Sequence, residues 1–297
     1  MEFINKGWCT MNFLNYVYNN DITLLDGAMG TELEKMNVMG NFANNIDNKE
    51  IVKKIHQGYI EAGSKAIITN TFSLNRIYLA DKDLNLALIN SQGVKIAKEV
   101  EGNDIFVLGD ISSTGKLLQP YGRYKEEEFI KVFSEKSEIL ARAGVDAFII
   151  ETMVDLREAV CALKGCKRSS DLPVIVSISF DRLKGGGRTV MGDTVKESVI
   201  KLQEEEADII GSNCGSLGPH QMAEVIKIME EHTDLPILAK PNAGLPILQG
   251  KETLYIMEPA DFTEGILACI EAGASLVGGC CGTTPEHIRD LHNTINK

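Results

Sequence analysis

Eight short apolar segments, separated by longer amphipathic ones, predict that this chain folds into a single α/β barrel of eight β/α units. Several short segments, such as residues 147–150 and 174–176, are apolar on both faces, which is typical of strands buried in a parallel sheet. The longer segments carry apolar residues at helical spacing, as in Glu126–Ala143. Several of them end on an Ala-Gly pair, and glycine is a common helix stop. These pairs lie at residues 62–63, 143–144 and 272–273.

The predicted strands occupy nearly the whole chain. They are residues 22–25, 66–69, 105–109, 147–150, 174–179, 208–212, 237–239 and 275–278. We therefore divide the chain into a leader, residues 1–20, and one TIM barrel, residues 21–297. The alternative is an open, doubly wound sheet, which would bind a dinucleotide through G-x-G-x-x-G after its first strand. Residues 26–31 read Asp-Gly-Ala-Met-Gly-Thr and do not match that pattern, which favours the barrel.

Composition argues against several classes of partner. The 297 residues have a formal net charge of −12, so we expect neither nucleic acid nor a membrane surface as the main partner. No apolar run approaches the ~18 residues of a membrane span. The leader lacks the basic start and long apolar core of a secretory signal, and the seven cysteines are an odd number. We therefore expect a cytoplasmic protein with reduced thiols.

Three cysteines follow predicted strands at the end where barrel enzymes carry their chemistry. Cys214 follows the sixth strand, and the adjacent Cys280 and Cys281 follow the eighth. Three thiolates suit Zn²⁺, and three protein ligands leave one coordination position for a substrate, as in catalytic zinc sites. The alternative is that Cys280 and Cys281 are buried thiols beneath the last helix. Two acids, Asp26 and Glu151, follow strands one and four on the opposite side of the barrel mouth.

Five motifs at these strand ends carry a family resemblance. They are residues 25–33 (Leu-Asp-Gly-Ala-Met-Gly-Thr-Glu-Leu), 70–73 (Asn-Thr-Phe-Ser), 151–152 (Glu-Thr), 213–214 (Asn-Cys) and 278–283 (Gly-Gly-Cys-Cys-Gly-Thr). Together they resemble the homocysteine S-methyltransferase family over about residues 21–293. Residues 213–219 and 240–246 look most like the homocysteine-binding zinc domain of cobalamin-dependent methionine synthase.

The resemblance implies a zinc-dependent methyl transfer to homocysteine that gives methionine. Cys214, Cys280 and Cys281 would hold the Zn²⁺, and the homocysteine sulfur would take the open position. Coordination keeps that sulfur deprotonated at neutral pH. Three cysteinate ligands give the centre a formal charge of −1, which preserves the nucleophilicity of the bound sulfur. The sulfur would then displace an activated methyl group in line.

The resemblance also implies how the rest of homocysteine is held. Asp26 and Glu151 would face its ammonium through charge-assisted hydrogen bonds. Backbone N–H groups around Gly27 and Ala28 and near Thr71 would bind its carboxylate as an anion nest. Asn242 would take the fourth position on zinc when substrate is absent.

The sequence leaves more than one possible methyl donor and more than one possible function. Because the barrel uses nearly all of the chain and Asp-x-His-x-x-Gly does not occur, we expect methylcobalamin on a separate corrinoid protein, or another activated methyl compound, as donor. One rival is a non-catalytic thiol- and zinc-binding module of a methyltransferase assembly. Another is a phosphate-binding barrel enzyme with Lys240 as its catalytic amine, although nothing near Lys240 indicates a Schiff-base pocket.

Overall fold

Eight parallel strands form a barrel surrounded by helices, which confirms the predicted fold. The computed structural model describes residues 12–102, 104–181, 187–249 and 252–297. The described strands are β1 (Thr23–Leu24), β2 (Ala66–Ile68), β3 (Phe106–Ile111), β4 (Ala147–Met153), β5 (Val174–Ile178), β6 (Ile209–Asn213), β7 (Ile237–Lys240), β8 (Ile247–Gln249), β9 (Glu252–Leu254) and β10 (Leu276–Val277). The described helices are α1 (Phe13–Tyr18), α2 (Gly30–Lys35), α3 (Asn44–Asp47), α4 (Lys49–Glu61), α5 (Leu86–Val100), α6 (Glu126–Ala143), α7 (Leu156–Ser169), α8 (Val195–Glu204), α9 (Pro219–Glu230), α10 (Pro259–Glu271) and α11 (Pro285–Ile295).

The barrel closes between its first two strands. The sheet has the strand order β1-β10-β7-β6-β5-β4-β3-β2, with parallel pairing throughout. A parallel bridge between Leu25 and Ala66 joins its two ends. The Asp26 N–H donates to the Ala66 carbonyl at 3.0 Å, and the Lys65 N–H donates to the Leu24 carbonyl at 2.7 Å. All the strand ends that carry predicted site residues therefore open on one mouth.

Several strands run further than the sequence predicts, and the extension affects the site. β4 continues to Met153 and β6 to Asn213, so Glu151 and Asn213 lie within strands instead of just beyond them. The structure also contains an antiparallel hairpin, β8–β9, between β7 and α10. Sequence patterning missed it because strands of three residues are too short to show a period.

Two apolar layers hold the barrel together. Inside it, inward-facing strand residues such as Leu108, Ile149 and Leu238 form one buried cluster. A larger cluster lies between the outer face of the sheet and the helices. Residues 1–11 of the predicted leader lie outside the described ranges, whereas its remainder forms α1. Phe13 and Val17 of α1 join the interior cluster, so this helix closes the amino-terminal end of the barrel.

The helix stops agree with the predicted Ala-Gly pairs. Gly63, Gly144 and Gly273 all have a positive φ, of 107°, 100° and 114°. That left-handed conformation suits glycine and ends the helix so that the chain can turn into the next strand. No helix in the described ranges combines the length and the apolar character needed to cross a membrane.

Candidate functional site

The three predicted cysteines meet at the barrel mouth. Cys214 directly follows β6, and Cys280 and Cys281 follow β10. Their sulfur atoms all lie within 4.8 Å of one another. A tetrahedral zinc with bonds of ~2.3 Å to sulfur spaces its sulfur ligands about 3.8 Å apart. The cluster therefore has nearly the spacing of three ligands on one metal ion.

The last residue of β7 and the segment that follows it hold the two cysteine-bearing turns relative to each other. The Cys214 N–H donates to the Lys240 carbonyl at 3.2 Å, and the Cys280 N–H donates to the Pro241 carbonyl at 2.8 Å. Ala243 N–H donates to the Cys281 carbonyl at 2.9 Å. Cys214 itself has a left-handed backbone, with φ 58°. Such a conformation costs energy in a non-glycine residue and is maintained where surrounding contacts impose it.

The thiols form a set that is suited to a cation. A hydrogen bond with Cys214, reinforced by burial and by the Cys214 charge, raises the pKa of the Cys280 thiol well above its usual range. Three thiolates this close repel one another in a buried site, so they cannot all ionise without a compensating positive charge. A soft divalent cation such as Zn²⁺ supplies that charge and prefers sulfur ligands.

Asn213 supports this cluster, a role that its place in the Asn213-Cys214 motif did not predict. Its side chain is fully buried, and its Oδ1 accepts the Thr152 N–H at 2.8 Å and the Ser177 hydroxyl at 2.7 Å. Its Nδ2 donates to Thr152 Oγ1 at 2.8 Å and points to Cys280 Sγ at 3.8 Å. Asn213 therefore ties β4, β5 and the Cys280 thiol to one amide group.

Asn242 lies next to the cysteines with one polar atom unused. Its Nδ2 donates to the Gly215 carbonyl at 3.0 Å, directly after Cys214. Its Oδ1 is buried and has no hydrogen-bond partner in the described chain. An unpaired buried amide oxygen is costly, which makes this atom a candidate ligand.

Asp26 and Glu151 share a buried lysine, Lys240, whose contact with them could not be predicted from the sequence pattern. Lys240 Nζ lies 3.4 Å from Glu151 Oε2 and 3.8 Å from Asp26 Oδ1. Burial raises the pKa of Asp26 to about 7, while Lys240 and the Ile68 N–H, which donates to Asp26 Oδ2 at 2.8 Å, act in the opposite direction. Burial alone would lower the pKa of Lys240, but the Glu151 and Asp26 carboxylates raise it, so Lys240 is protonated.

A third acid, Asp110 on β3, belongs to the same buried cluster. Its Oδ1 has no hydrogen-bond partner among the described residues. Burial, followed by repulsion from Glu151, raises its pKa well above the usual range, and Lys136 and Lys240 oppose that shift. Three carboxyl groups thus face two ammonium groups, which leaves room for one more cation or proton. The strand-end position of Asp110 was visible in the sequence, but its neighbours were not.

The predicted carboxylate-binding residues are linked by hydrogen bonds to the backbone of Cys280 and Asp110. Ala28 N–H donates to Thr283 Oγ1 at 3.0 Å, and that hydroxyl donates to the Cys280 carbonyl at 2.7 Å. A Cβ on Gly27 would lie 2.7 Å from Thr283 Oγ1, so only glycine fits there. Thr71 is buried in the turn that follows β2, and its hydroxyl donates to the Asp110 carbonyl at 2.9 Å. Ala28 would have to release Thr283 before its N–H could serve a substrate.

Comparison with known proteins places this geometry in a family. The profile of the homocysteine S-methyltransferase family matches residues 23–295. The methionine synthase of Mycobacterium leprae is 31% identical over 289 residues, which are 90% of this chain and 24% of that protein. The methionine synthase of Mycobacterium tuberculosis is 30% identical over 298 residues, covering 93% of this chain and 25% of that protein. The chain thus spans about a quarter of the length of these curated relatives.

Solved structures share the fold at low identity. The metallated form of the homocysteine methyltransferase MmuM from Escherichia coli superposes with a TM-score of 0.77 at 21% identity, covering 94% of this chain and 98% of that one. The carboxyl transferase domain of Rhizobium etli pyruvate carboxylase has a TM-score of 0.56 at 15% identity, covering 96% of this chain and 48% of that one. Fold alone therefore does not select the chemistry. The family profile confirms the resemblance that the strand-end motifs indicate: the chain belongs to the homocysteine S-methyltransferase family of methyltransferase enzymes.

Proposed function

We propose that this chain transfers a methyl group to the thiol of homocysteine, giving methionine, with Zn²⁺ held by Cys214, Cys280 and Cys281. The observation that carries the proposal is the convergence of three thiols, within 4.8 Å of one another, at the mouth of a barrel of this family. Three protein ligands leave a fourth position for the substrate sulfur. Asn242 Oδ1, buried and unpaired in the described chain, would occupy that position when substrate is absent.

The cysteines and the metal they would hold serve the reacting sulfur. Bound zinc would keep the substrate thiol deprotonated at neutral pH, where a free thiol with a pKa near ~8.5 is mostly protonated. In the reaction a carbon–sulfur bond forms as the bond between the methyl group and its donor breaks, and the donor keeps that electron pair. The proton released from the homocysteine thiol passes to solvent.

The acids serve the substrate ammonium. Asp26 and Glu151 lie in one buried cluster with Asp110, and these three carboxyl groups exceed the two lysine charges, Lys136 and Lys240, by one. One substrate ammonium would balance that excess in place of the proton that the raised pKa of Asp110 favours. A zwitterionic amino acid therefore suits this pocket better than an anionic thiol without an amine. Backbone N–H groups around Gly27 and Ala28 and beyond Thr71 would bind the carboxylate.

The donor side of the reaction is open to direct test. The proposed donor is methylcobalamin on a corrinoid protein, because residues 213–219 and 240–246 resemble the homocysteine-binding domain of cobalamin-dependent methionine synthase. The test is a panel of methylcobalamin, methyltetrahydrofolate with a corrinoid protein, S-methylmethionine and betaine, each supplied with homocysteine. Methionine formed from methylcobalamin but from neither S-methylmethionine nor betaine supports the corrinoid route. The reverse pattern would assign a free small-molecule donor.

The metal and the activity are tested together. We expect about one zinc per chain and zinc-dependent formation of methionine. Cys214→Ala should abolish both, whereas Cys161→Ala, which alters a buried cysteine on α7, should change neither. Zinc-free protein from a metal-replete preparation, with all three site cysteines open to alkylation, would contradict the proposal.

A second candidate function is a thiol- and zinc-binding module without turnover of its own. It rests on the same three thiols, which could bind zinc and a substrate thiol without catalysing methyl transfer. Such a module would contain zinc but form no methionine with any donor in the panel. Glu151→Gln would then leave homocysteine affinity unchanged, whereas the proposed enzyme should lose affinity in calorimetry.

A further inference from the structure

The turn after β2 has its carbonyl groups held from behind by side chains. Lys136 Nζ, on α6, donates to the Thr71 carbonyl at 2.5 Å and to the Phe72 carbonyl at 2.8 Å. The Ser112 hydroxyl also donates to the Phe72 carbonyl, at 2.7 Å. Lys136 is only 3% exposed, so a helix of the outer layer places a buried ammonium directly behind the turn.

This arrangement orients the N–H groups of the same peptides. The peptide bonds from Thr71 to Phe72 and from Phe72 to Ser73 are trans. In a planar trans peptide the C=O and N–H point in opposite directions. Because both carbonyls point at Lys136, the N–H groups of Phe72 and Ser73 point away from it. Neither N–H has a hydrogen-bond acceptor in the described part of the chain.

Two adjacent, unpaired N–H groups that point the same way form an anion-binding concavity. We propose that Lys136 is a positioning residue that fixes and polarises this concavity for the carboxylate of the substrate amino acid. The inference rests on the proposed function, because it takes homocysteine as the ligand. Lys136 does not touch the substrate itself and acts through the peptide groups of Thr71 and Phe72.

The charge of Lys136 matters as well as its hydrogen bonds. A buried ammonium behind a peptide draws electron density toward the carbonyl and strengthens the N–H as a donor on the other side. Burial lowers the pKa of Lys136 to about 8, and the nearby Asp110 carboxylate opposes that shift by stabilising the ammonium. The acid cluster would bind the substrate ammonium, and the turn in front of Lys136 would bind the carboxylate. The two charged groups of the amino acid would therefore have separate binding sites.

Removing Lys136 should leave the turn folded. The Thr71 carbonyl also accepts the Leu74 N–H at 3.2 Å, and the Phe72 carbonyl keeps the Ser112 hydroxyl. Each carbonyl therefore retains a donor in Lys136→Met, and methionine fills the volume of the lysine stem. What is lost is the charge behind the N–H groups and the second donor that aligns them.

The test compares two ligands by calorimetry on zinc-loaded protein. One is homocysteine, and the other is 3-aminopropane-1-thiol, which keeps the thiol and ammonium but lacks the carboxylate. For Lys136→Met we expect binding of homocysteine to weaken about tenfold relative to binding of the aminothiol, as for loss of a charged hydrogen-bonding partner, because both ligands experience the same change of charge beside Asp110 but only homocysteine has a carboxylate. Lys136→Arg should recover part of the homocysteine affinity. Lys131→Met, an exposed position on the same helix, should change neither ligand.

Each outcome decides a different claim. An equal loss for both ligands, or no loss for either, would overturn the positioning role, because a residue that only supports the fold cannot distinguish a carboxylate. If Lys136→Met does not fold, Lys136→Gln replaces it, because glutamine keeps a donor without the charge: a loss larger for homocysteine than for the aminothiol supports the inference, and any other pattern overturns it. Wild-type protein that binds neither thiol would overturn the proposed function, and this inference with it.

Discussion

Lys240 Nζ lies 3.4 Å from Glu151 Oε2, with both side chains buried at the barrel mouth. The acids assigned to the substrate ammonium therefore already contact an ammonium that belongs to the protein. Lys240 also lies 3.8 Å from Asp26 Oδ1, so one cation serves both acids. A resident cation favours the ionised form of these buried carboxylates, and an incoming ammonium pairs with that form.

Lys240→Met is expected to make homocysteine binding depend strongly on pH. Without the Lys240 charge, burial raises the pKa of Asp26 further above 7, and a proton then competes with the substrate ammonium. Relative to wild type, affinity should be at least about tenfold weaker at pH 6.5 and should recover toward pH 9 as Asp26 ionises. Calorimetry across that range measures the ratio. A ratio that is constant with pH would contradict this role, and Lys131→Met is the control.

Asp26→Asn should become more stable relative to wild type as pH rises. Burial raises the pKa of Asp26 to about 7, above the ~3.9 of an unfolded aspartate. The unfolded chain therefore ionises first, so wild-type stability is lost as pH rises from about 4 through 7. Asparagine does not titrate, and its Oδ1 can still accept the Ile68 N–H. We expect the Tm difference between variant and wild type to grow by a few degrees between pH 5 and pH 8.

Scanning calorimetry at several pH values checks this difference. The Tm gap should widen from about pH 4 and level off above about pH 7, where Asp26 is ionised in both the folded and the unfolded chain. A Tm difference that stays constant or narrows as pH rises would contradict the prediction, because it would show that ionised Asp26 does not destabilise the folded protein. Homocysteine binding should fall in the same variant, because the neutral amide cannot pair with an ammonium.

The barrel and its cysteines could be predicted because they depend on patterns along the chain. Strands buried on both faces appear as apolar runs, and residues 214, 280 and 281 follow two of those runs. Once the fold is known, the ends of all its parallel strands must meet at one mouth. A residue at one strand end can then be predicted to lie near the residues at the other strand ends, even when side-chain conformations are unknown.

The supporting contacts could not be predicted in the same way. Asn213 acts through the Thr152 N–H and the Ser177 hydroxyl, which come from other strands, and Lys136 reaches from α6 to a turn after β2. Both depend on register and rotamer, which leave no period in the sequence. The sequence placed Lys240 at a strand end, but only the packed barrel shows that it lies between two acids.

His56→Leu should make the protein less sensitive to acid. His56 on α4 is fully buried, neither ring nitrogen has a hydrogen-bond partner among the described residues, and burial lowers its pKa to about 4. The unfolded chain binds a proton near pH ~6.5, so stability is lost as pH falls from there toward 4. The substitution should remove that loss, up to about 3 kcal/mol at pH 4. Urea unfolding at pH 7.5 and pH 5 measures it, with His220→Leu at an exposed position as control.

Asn213→Ala is expected to weaken zinc binding by about 10- to 100-fold, the usual cost of losing a residue that orients a metal ligand. The substitution removes the acceptor of the Thr152 N–H and the Ser177 hydroxyl, and the amide that points to Cys280 Sγ. The backbone still positions Cys280, but its thiol loses the amide group that orients it. Competition with a chromophoric chelator gives the affinity, and circular dichroism confirms that the barrel is intact. Ser212→Ala, one residue earlier in β6, should bind zinc like wild type, because Ser212 Oγ has no partner among the described residues. Equal zinc affinities for the two variants would mean that the backbone after β6 and β10 positions the thiols without help from this amide.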